Sequence, residues 1–469
     1  MDERRGTDAA GGVLVAATMI LVAIREWGGG AVFSYASMAT SVAALVLLSL
    51  NVRWSRRAFL VIGAALSAIA VATLPDWPGA IARALGGAAF IIAFFTALTS
   101  LRSAAISSKP VSDAGRFLAD QPPGRRYLAL TLGGALFGLI LLYGAITLLG
   151  SLSRQSAQDE ANPEITRIRL RRMMVAIQRG FIATLPWSPL TFAMAISTSL
   201  VPGSSWAAAV LPSLVSGLLL AGIGWALDTA LKPRITGPRP VRRAPEGRWG
   251  RKLAPLLMLL AVLGALITGI HIATGVGVVG VVMVVVPLLS LLWMVEQDVL
   301  GHRRGVIGHV AERARDFATV EMAGLRAEVV LLAMAGFIGS LGSSLTAPLI
   351  ADRGIDLAGI SPYFLLLGIF WIIPITGQFG MNPILSASLI VPLLPLPAEM
   401  GVAPSAVILA ITSGWALSGA TSPYTASVMM VGQYGGVSAL HAGLRWNGLY
   451  ALICGIVLSG WIALAATIL

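Results

Sequence analysis

Two Ser-Pro pairs, Ser188-Pro189 and Ser422-Pro423, each interrupt a long apolar stretch, and each is followed two places after the proline by a threonine, Thr191 and Thr425. Proline has no amide hydrogen and its ring collides with the carbonyl four residues back, so no helix runs through either pair undisturbed. The interruption releases carbonyls on one side. On the other, proline in the first turn with Ser or Thr at the cap starts a half-helix whose N-terminal end is electropositive. Inside a membrane such groups are tolerated only where protein buries them or a wet cavity receives them. Two such ends can hold an anion at their N–H groups or a cation at the released carbonyls. The alternative is a pair of proline kinks that only shape helix packing.

A third interruption, PITGQFGMNPILSASLIVP at 374–392, sets Pro374, Gly377, Gly380, Pro383 and Pro392 around Gln378, Asn382, Ser386 and Ser388. Asn382, directly before Pro383, reads as a cap on a discontinuous helix or as a hydrogen-bonding contact between helices. Gln378, Asn382, Thr421, Ser422 and Thr425 head the candidate substrate contacts, with Ser188 and Thr191 as their counterparts in the first half. Thr99, Ser100 and Ser103, and again Ser340, Ser343 and Ser344, fall where two apolar hairpins are expected to turn. Of these, Thr99, Ser100, Ser340 and Ser343 join the candidate set, as does Arg102, which either faces a carboxylate or oxyanion or snorkels to the headgroups.

The elements that must position these residues follow from composition. Of 469 residues, 57% are hydrophobic and 12% charged, with a mean hydropathy of +0.84. The apolar residues come in blocks of about twenty, the length that crosses a hydrocarbon core as helix. The blocks lack the period-2 alternation of a membrane barrel. The expected fold is an all-α polytopic membrane protein of about ten to twelve transmembrane helices, some of the apolar blocks being re-entrant hairpins and others broken helices. The polar, acidic start makes the first apolar block, near 13–24, a retained segment rather than a secretory signal.

The formal charge of +12 is confined to clusters such as NVRWSRR (51–57), RIRLRR (167–172) and GHRRG (301–305), the pattern of short cytoplasmic loops. Nucleic acid is excluded as a partner. The stretch 231–252 carries several prolines and eight Lys or Arg against one Glu. It reads as a cytoplasmic connector between a first transmembrane repeat, 1–230, and a second, 253–469. Aligning Gly180 with Gly414 brings Ser188-Pro189 onto Ser422-Pro423 and Thr191 onto Thr425. Upstream, Ser100-Leu101 and Ser103 match Ser340-Leu341 and Ser343, in the same order on either side of the connector.

Absences also discriminate. His271, His302, His309 and His441 form no HExxH and pair with no cysteine, so no metal site is expected. No Walker-type loop is present, and GVGVVG at 275–280 lies in an apolar span without a βαβ setting. From 354 to 469 the acidic residues are Asp356 and Glu399, both expected in loops, so a proton relay would have to use Glu296 or Glu328. Na⁺, held by hydroxyl and carbonyl oxygens, needs no carboxylate.

The order of these features, with GMNPILSASLIVPLLP and GATSPYTASVMM in the second half, resembles the ion transporter superfamily of arsenite, dicarboxylate and sodium/proton carriers, over about residues 33 to 469. The resemblance implies two inverted repeats whose hairpin tips and broken-helix loops meet at a central site, and homodimers with a scaffold and a transport domain that move anionic substrates. The dicarboxylate branch is similar but has Ser-Asn-Thr at tip and break. This chain departs from it, with Ser340-Leu341-Gly342 at the tip and Gly380-Met381-Asn382-Pro383 or Ala420-Thr421-Ser422-Pro423 at the breaks. The expectation is a multi-pass secondary transporter of a bacterial inner membrane, in contact with lipid. It would move a small anionic solute by alternating access, with Na⁺ as coupling ion and no other cofactor. The competing readings are a non-transporting membrane scaffold and an intramembrane enzyme acting on a lipid-linked substrate. Catalysis is not expected, because no intramembrane Ser has a His or Lys base at fixed spacing.

Overall fold

A backbone in hydrocarbon must pair its polar groups within its own segment, and the described residues form helices with no strand among them. The computed structural model describes residues 2–122, 124–158, 162–232, 247–353 and 357–469. In chain order the helices are α1 (Asp2–Glu26), α2 (Ala31–Ser49), α3 (Trp54–Thr73), α4 (Trp77–Ile106), α5 (Lys109–Ala119), α6 (Arg126–Leu141) and α7 (Gly144–Gln158). Then come α8 (Pro163–Ile182), α9 (Phe192–Leu200), α10 (Trp206–Ala230), α11 (Trp249–Thr274), α12 (Val278–Leu300), α13 (Val306–Asp316) and the single turn α14 (Met322–Gly324). The last six are α15 (Arg326–Asp352), α16 (Pro362–Gln378), α17 (Pro383–Ile390), α18 (Pro404–Thr421), α19 (Ala426–Gly435) and α20 (Asn447–Ile468). Among the described residues, ten helical stretches are long and apolar enough to cross a membrane. The chain is an all-α multi-pass membrane protein, as its apolar blocks predict.

The two expected hairpins are replaced by unbroken helices. α4 runs 30 residues straight through Thr99, Ser100, Arg102 and Ser103, and α15 runs 27 residues through Ser340, Ser343 and Ser344. The cause is local, because a hydroxyl in an apolar helix can bond a carbonyl three or four residues back and so needs no turn. Thr99 Oγ1 donates to Phe95 O at 2.7 Å and Ser100 Oγ to Ala97 O at 2.7 Å. Ser343 Oγ and Ser344 Oγ both donate to Ser340 O, at 2.8 and 3.1 Å.

One interruption lies where the residue types announce none. Leu142, with φ of 53°, occupies the left-handed region that L side chains rarely adopt. It separates α6 from α7, which pack on each other and on α8.

The chain divides into two compact units. The first gathers Met1–Ala104, Leu263–Gly359 and Ile384–Pro395, and the second Ala105–Val262, Ile360–Pro383 and Leu396–Leu469. Each takes residues from both sides of the basic connector, of which 233–246 lie outside the described residues. In the first unit α1 packs along α2, and α3 along α15. α4 is tied to α12 by Ser100 Oγ, 3.3 Å from Ser290 Oγ, and by Gln297 Nε2, which donates to Ala104 O at 2.9 Å. In the second unit α6 lies along α8 and α16 along α18, while α10 and α20 pack on α18.

Candidate functional site

Both Ser-Pro segments fold into the same hydrogen-bonded turn, although Ser422-Pro423 directly follows the end of α18 whereas α8 already ends at Ile182, six residues before Ser188. Between α8 and α9, Thr191 directs its amide (3.2 Å) and its Oγ1 (2.8 Å) to Ser188 O, and Ser188 Oγ accepts from Leu190 N at 3.2 Å. Between α18 and α19, Thr425 directs its amide (3.2 Å) and Oγ1 (2.8 Å) to Ser422 O, and Ser422 Oγ accepts from Tyr424 N at 3.3 Å. The restart is displaced from the expected one, since neither proline lies in a first helical turn. Thr191 and Thr425, two places on, stand at the N-caps of α9 and α19, because each Ser-Pro pair is taken up by the turn itself. Only Thr191 caps with its side chain, accepting from Met194 N at 3.4 Å. Upstream, the aligned glycines are alike too. A β-carbon at Gly180 would overlap the Thr131 carbonyl oxygen on α6, and one at Gly414 would overlap the Phe370 carbonyl oxygen on α16.

The two breaks pack together inside the second unit. α18 lies against α8 and α9, and α19 against α8. A β-carbon at Gly419 would sit 3.2 Å from Ile182 Cγ2 and 3.5 Å from Leu185 Cδ1. Ser188 and Ser422 are each 1% exposed. Ser-Pro elements facing lipid would have removed the case for an internal polar site.

Every buried backbone carbonyl needs a donor, so the groups stripped by proline have to be accounted for. Pro189 cannot donate to Leu185 O, and the Thr191 hydroxyl lies 3.1 Å from that oxygen, its proton shared with Ser188 O. Pro423 cannot donate to Gly419 O. Ser427 Oγ takes that role at 2.6 Å together with Gln178 Nε2 at 3.1 Å, and Gln178 Nε2 is also 3.3 Å from Ala420 O. Gln178 Oε1 in turn accepts from Asn447 Nδ2 at 2.9 Å, and Asn447 Oδ1 accepts from Arg179 Nε at 3.0 Å.

Arg179 is 6% exposed. Its remaining partners are neutral: Tyr127 Oη at 3.1 Å, Trp446 O at 3.4 Å, Gly224 O at 3.5 Å and the Tyr450 ring, 4.3 Å from the guanidinium carbon. A second arginine of α8, Arg172, is paired conventionally with Asp228 at 2.7 Å. That hydrogen bond raises the Arg172 pKa above the usual guanidinium value.

The third interruption meets the second at the end of α16. Gln378 Nε2 donates to Pro374 O at 3.2 Å and to Thr421 Oγ1 at 3.1 Å, while Thr421 Oγ1 donates to Leu417 O at 2.9 Å. Ser422 Oγ donates to Gly377 O at 2.6 Å. Gly380, with φ of 91°, turns the chain after α16, and Asn382 stands directly before Pro383, the first residue of α17. Two buried polar atoms here have no hydrogen-bond partner, Gln378 Oε1 and Ser418 Oγ.

Of the candidate residues, Ser188, Thr191, Gln378, Asn382, Thr421, Ser422 and Thr425 belong to the second unit, and Gln378, Thr421 and Ser422 converge. Thr99, Ser100, Arg102, Ser340 and Ser343 belong to the first. Arg102 has a buried Nε with no hydrogen-bond partner. In the same unit Asp298, 4% exposed, is held by His309 Nδ1 at 2.5 Å. Residue reasoning missed Gln178, Arg179, Ser418 and Asn447. The first two form a polar pair immediately before Gly180 in an otherwise apolar run, and Asn447 is a lone amide in WNGLYALI. Those are the available signals.

No protein-family model matches the chain, and no curated protein matches it. Solved structures share its fold, two of them as follows. The Alcanivorax borkumensis YdaH transporter, described as having an unusual topology, is 16% identical with a TM-score of 0.56, the alignment covering 87% of this chain and 98% of that one. Neisseria gonorrhoeae MtrF, described as illuminating a class of antimetabolite efflux pumps, is 15% identical with a TM-score of 0.55, covering 91% of this chain and 98% of that one. The chain therefore has the fold seen in these two membrane proteins.

Proposed function

We propose that the chain is a secondary active transporter that moves a small anionic solute by alternating access. Buried polar atoms in folded proteins nearly always have partners. Gln378 Oε1 and Ser418 Oγ, buried and unpartnered beside the α18 interruption, carry the proposal. A hydroxyl can donate to an oxyanion and an amide oxygen can accept from an N–H or O–H, so this pair suits an anion that also bears a donor. Arg179, a buried cation without a carboxylate, contributes positive potential to the same unit.

Na⁺ is the proposed coupling ion, because between 360 and 469 the carboxylate side chain is that of Glu399, in a loop after α17. The likeness to a transporter and an efflux pump supports the transport reading. We extend it to a divergent relative of the ion transporter superfamily, with two inverted repeats marked by the matching turns, acting as a homodimer in a bacterial inner membrane.

The test is uptake of a labelled anion panel into sealed proteoliposomes under a Na⁺ gradient, a proton gradient or neither. The native chain is compared with Gln378→Ala and Ser418→Ala. Na⁺-driven uptake that falls at least about tenfold in both variants, with both still monodisperse, is the expected result. Uptake driven by protons alone would remove the Na⁺ assignment. Variants that transport like the native chain would remove the site.

A further inference from the structure

A guanidinium buried without a carboxylate needs compensation from dipoles, and Arg179 has it. It sits in the last turn of its own helix α8, where the macrodipole favours a cation, and its Nε begins a directed chain of hydrogen bonds. Arginine can only donate and a backbone carbonyl can only accept, so the two ends of the chain fix the orientation of both amides between them. Asn447 must turn its oxygen to Arg179 and its nitrogen to Gln178. Gln178 must then turn its nitrogen to Gly419 O and Ala420 O. Those carbonyls are the C-terminal, electronegative end of the half-helix α18, and Gly419 O is the one Pro423 leaves without its helical donor.

We propose that Gln178 is a positioning residue for the broken helix. Its amide, oriented through Asn447 by Arg179, shares with Ser427 Oγ the replacement of the donor that Pro423 lacks, alone of the two reaches Ala420 O, and sets where Ser418, Thr421 and Ser422 stand. The inference deepens the proposed transport site and rests on it only for its effect on solute affinity.

The test is a double-mutant cycle. Pro423→Ala restores an N–H at 423 that can serve Gly419 O, so Gln178→Leu should matter less in that background. Four full-length chains are compared: native, Gln178→Leu, Pro423→Ala and the double variant. Thermal midpoints in detergent and the KM and maximal rate of uptake are both measured.

In the native background Gln178→Leu is expected to lower the midpoint and to raise KM about tenfold, with a smaller change in maximal rate. In the Pro423→Ala background the KM change should shrink to about twofold. Asn447→Asp guards against misfolding of Gln178→Leu, since it keeps an acceptor for Arg179 but removes the donor that orients Gln178. It should shift KM in the same direction.

Additive midpoints in the cycle would overturn the relay whatever the transport result. Coupled midpoints with an unchanged KM would overturn the positioning role and leave only a packing contact. If no solute moves in any background yet the midpoints are coupled, the relay stands and the transporter reading fails.

Discussion

The turns at 188–191 and 422–425 share sequence and hydrogen-bond pattern but differ in where their orphaned carbonyl finds a donor. The first is self-sufficient, because the Thr191 hydroxyl reaches Leu185 O and the same side chain caps α9. The second depends in part on another helix, because Gly419 O is served by Ser427 and by Gln178 from α8. Their helices differ as well. α8 carries five arginines and an ion pair to α10, whereas α18 contains no charged residue. A turn that satisfies itself is a fixed support. One whose carbonyls are held from a distance can change state if that distant group moves, so the second is the better placed to respond to a bound solute.

The largest effect expected is on what the turns have in common. Gly180→Val and Gly414→Val each drive side-chain atoms into a neighbouring carbonyl and should cost about 3 kcal/mol or more, read as loss of monodisperse protein. Equal damage at both sites would sharpen the correspondence, and tolerance at one would break it. Next, Gln178→Leu leaves Ala420 O without its side-chain donor and weakens the hold on Gly419 O, a cost of about 2 kcal/mol. Amide exchange should rise over 420–427 and not over 186–193; a rise at both turns would refute the asymmetry.

Thr191→Val removes a cap and the donor to Leu185 O, for about 1–2 kcal/mol, while Thr425→Val removes a second donor to an already bonded oxygen, for about 0.5 kcal/mol. Thermal midpoints of the two variants would rank them. The smallest effect concerns the anchor of α8. Asp228→Asn should cost about 1 kcal/mol. Because the Arg172 pKa is raised, its contribution is fully present below the unfolded value and lost only above the folded one, so stability from this pair should be flat between about pH 6 and 9.

The interruptions were legible in the residues because proline does something no other residue does, but the restart points were not: proline is expected in the first turn, whereas the turn absorbs it and the helices restart at the Thr191 and Thr425 caps. The hairpins at Thr99–Ser103 and Ser340–Ser344 were misread because a serine inside an apolar helix looks the same in sequence whether it lines a turn or bonds its own carbonyl. The Leu142 break carries no residue signal, since its left-handed backbone is held by surroundings rather than by a glycine. Gln178 and Asn447 are 269 positions apart. Their partnership exists only once α8 and α20 are packed in one unit, which no local pattern encodes. Ser418 is legible only by contrast, as a buried helical serine whose hydroxyl has no partner.

Of the two side-chain donors to Gly419 O, Ser427 lies eight residues later and Gln178 lies 241 residues earlier in the chain. During synthesis Gln178 is therefore made long before the carbonyls it serves, while Ser427 follows Gly419 closely and can satisfy it first. The half-built protein carries the unsatisfied amide donor of Gln178 until Gly419 O and Ala420 O arrive. Closure of this contact waits until α18 and, through Asn447, α20 have been made. A slow assembly step after α18 and α20 enter, and a dependence on insertion factors that shelter polar groups until then, are the expected marks of that order.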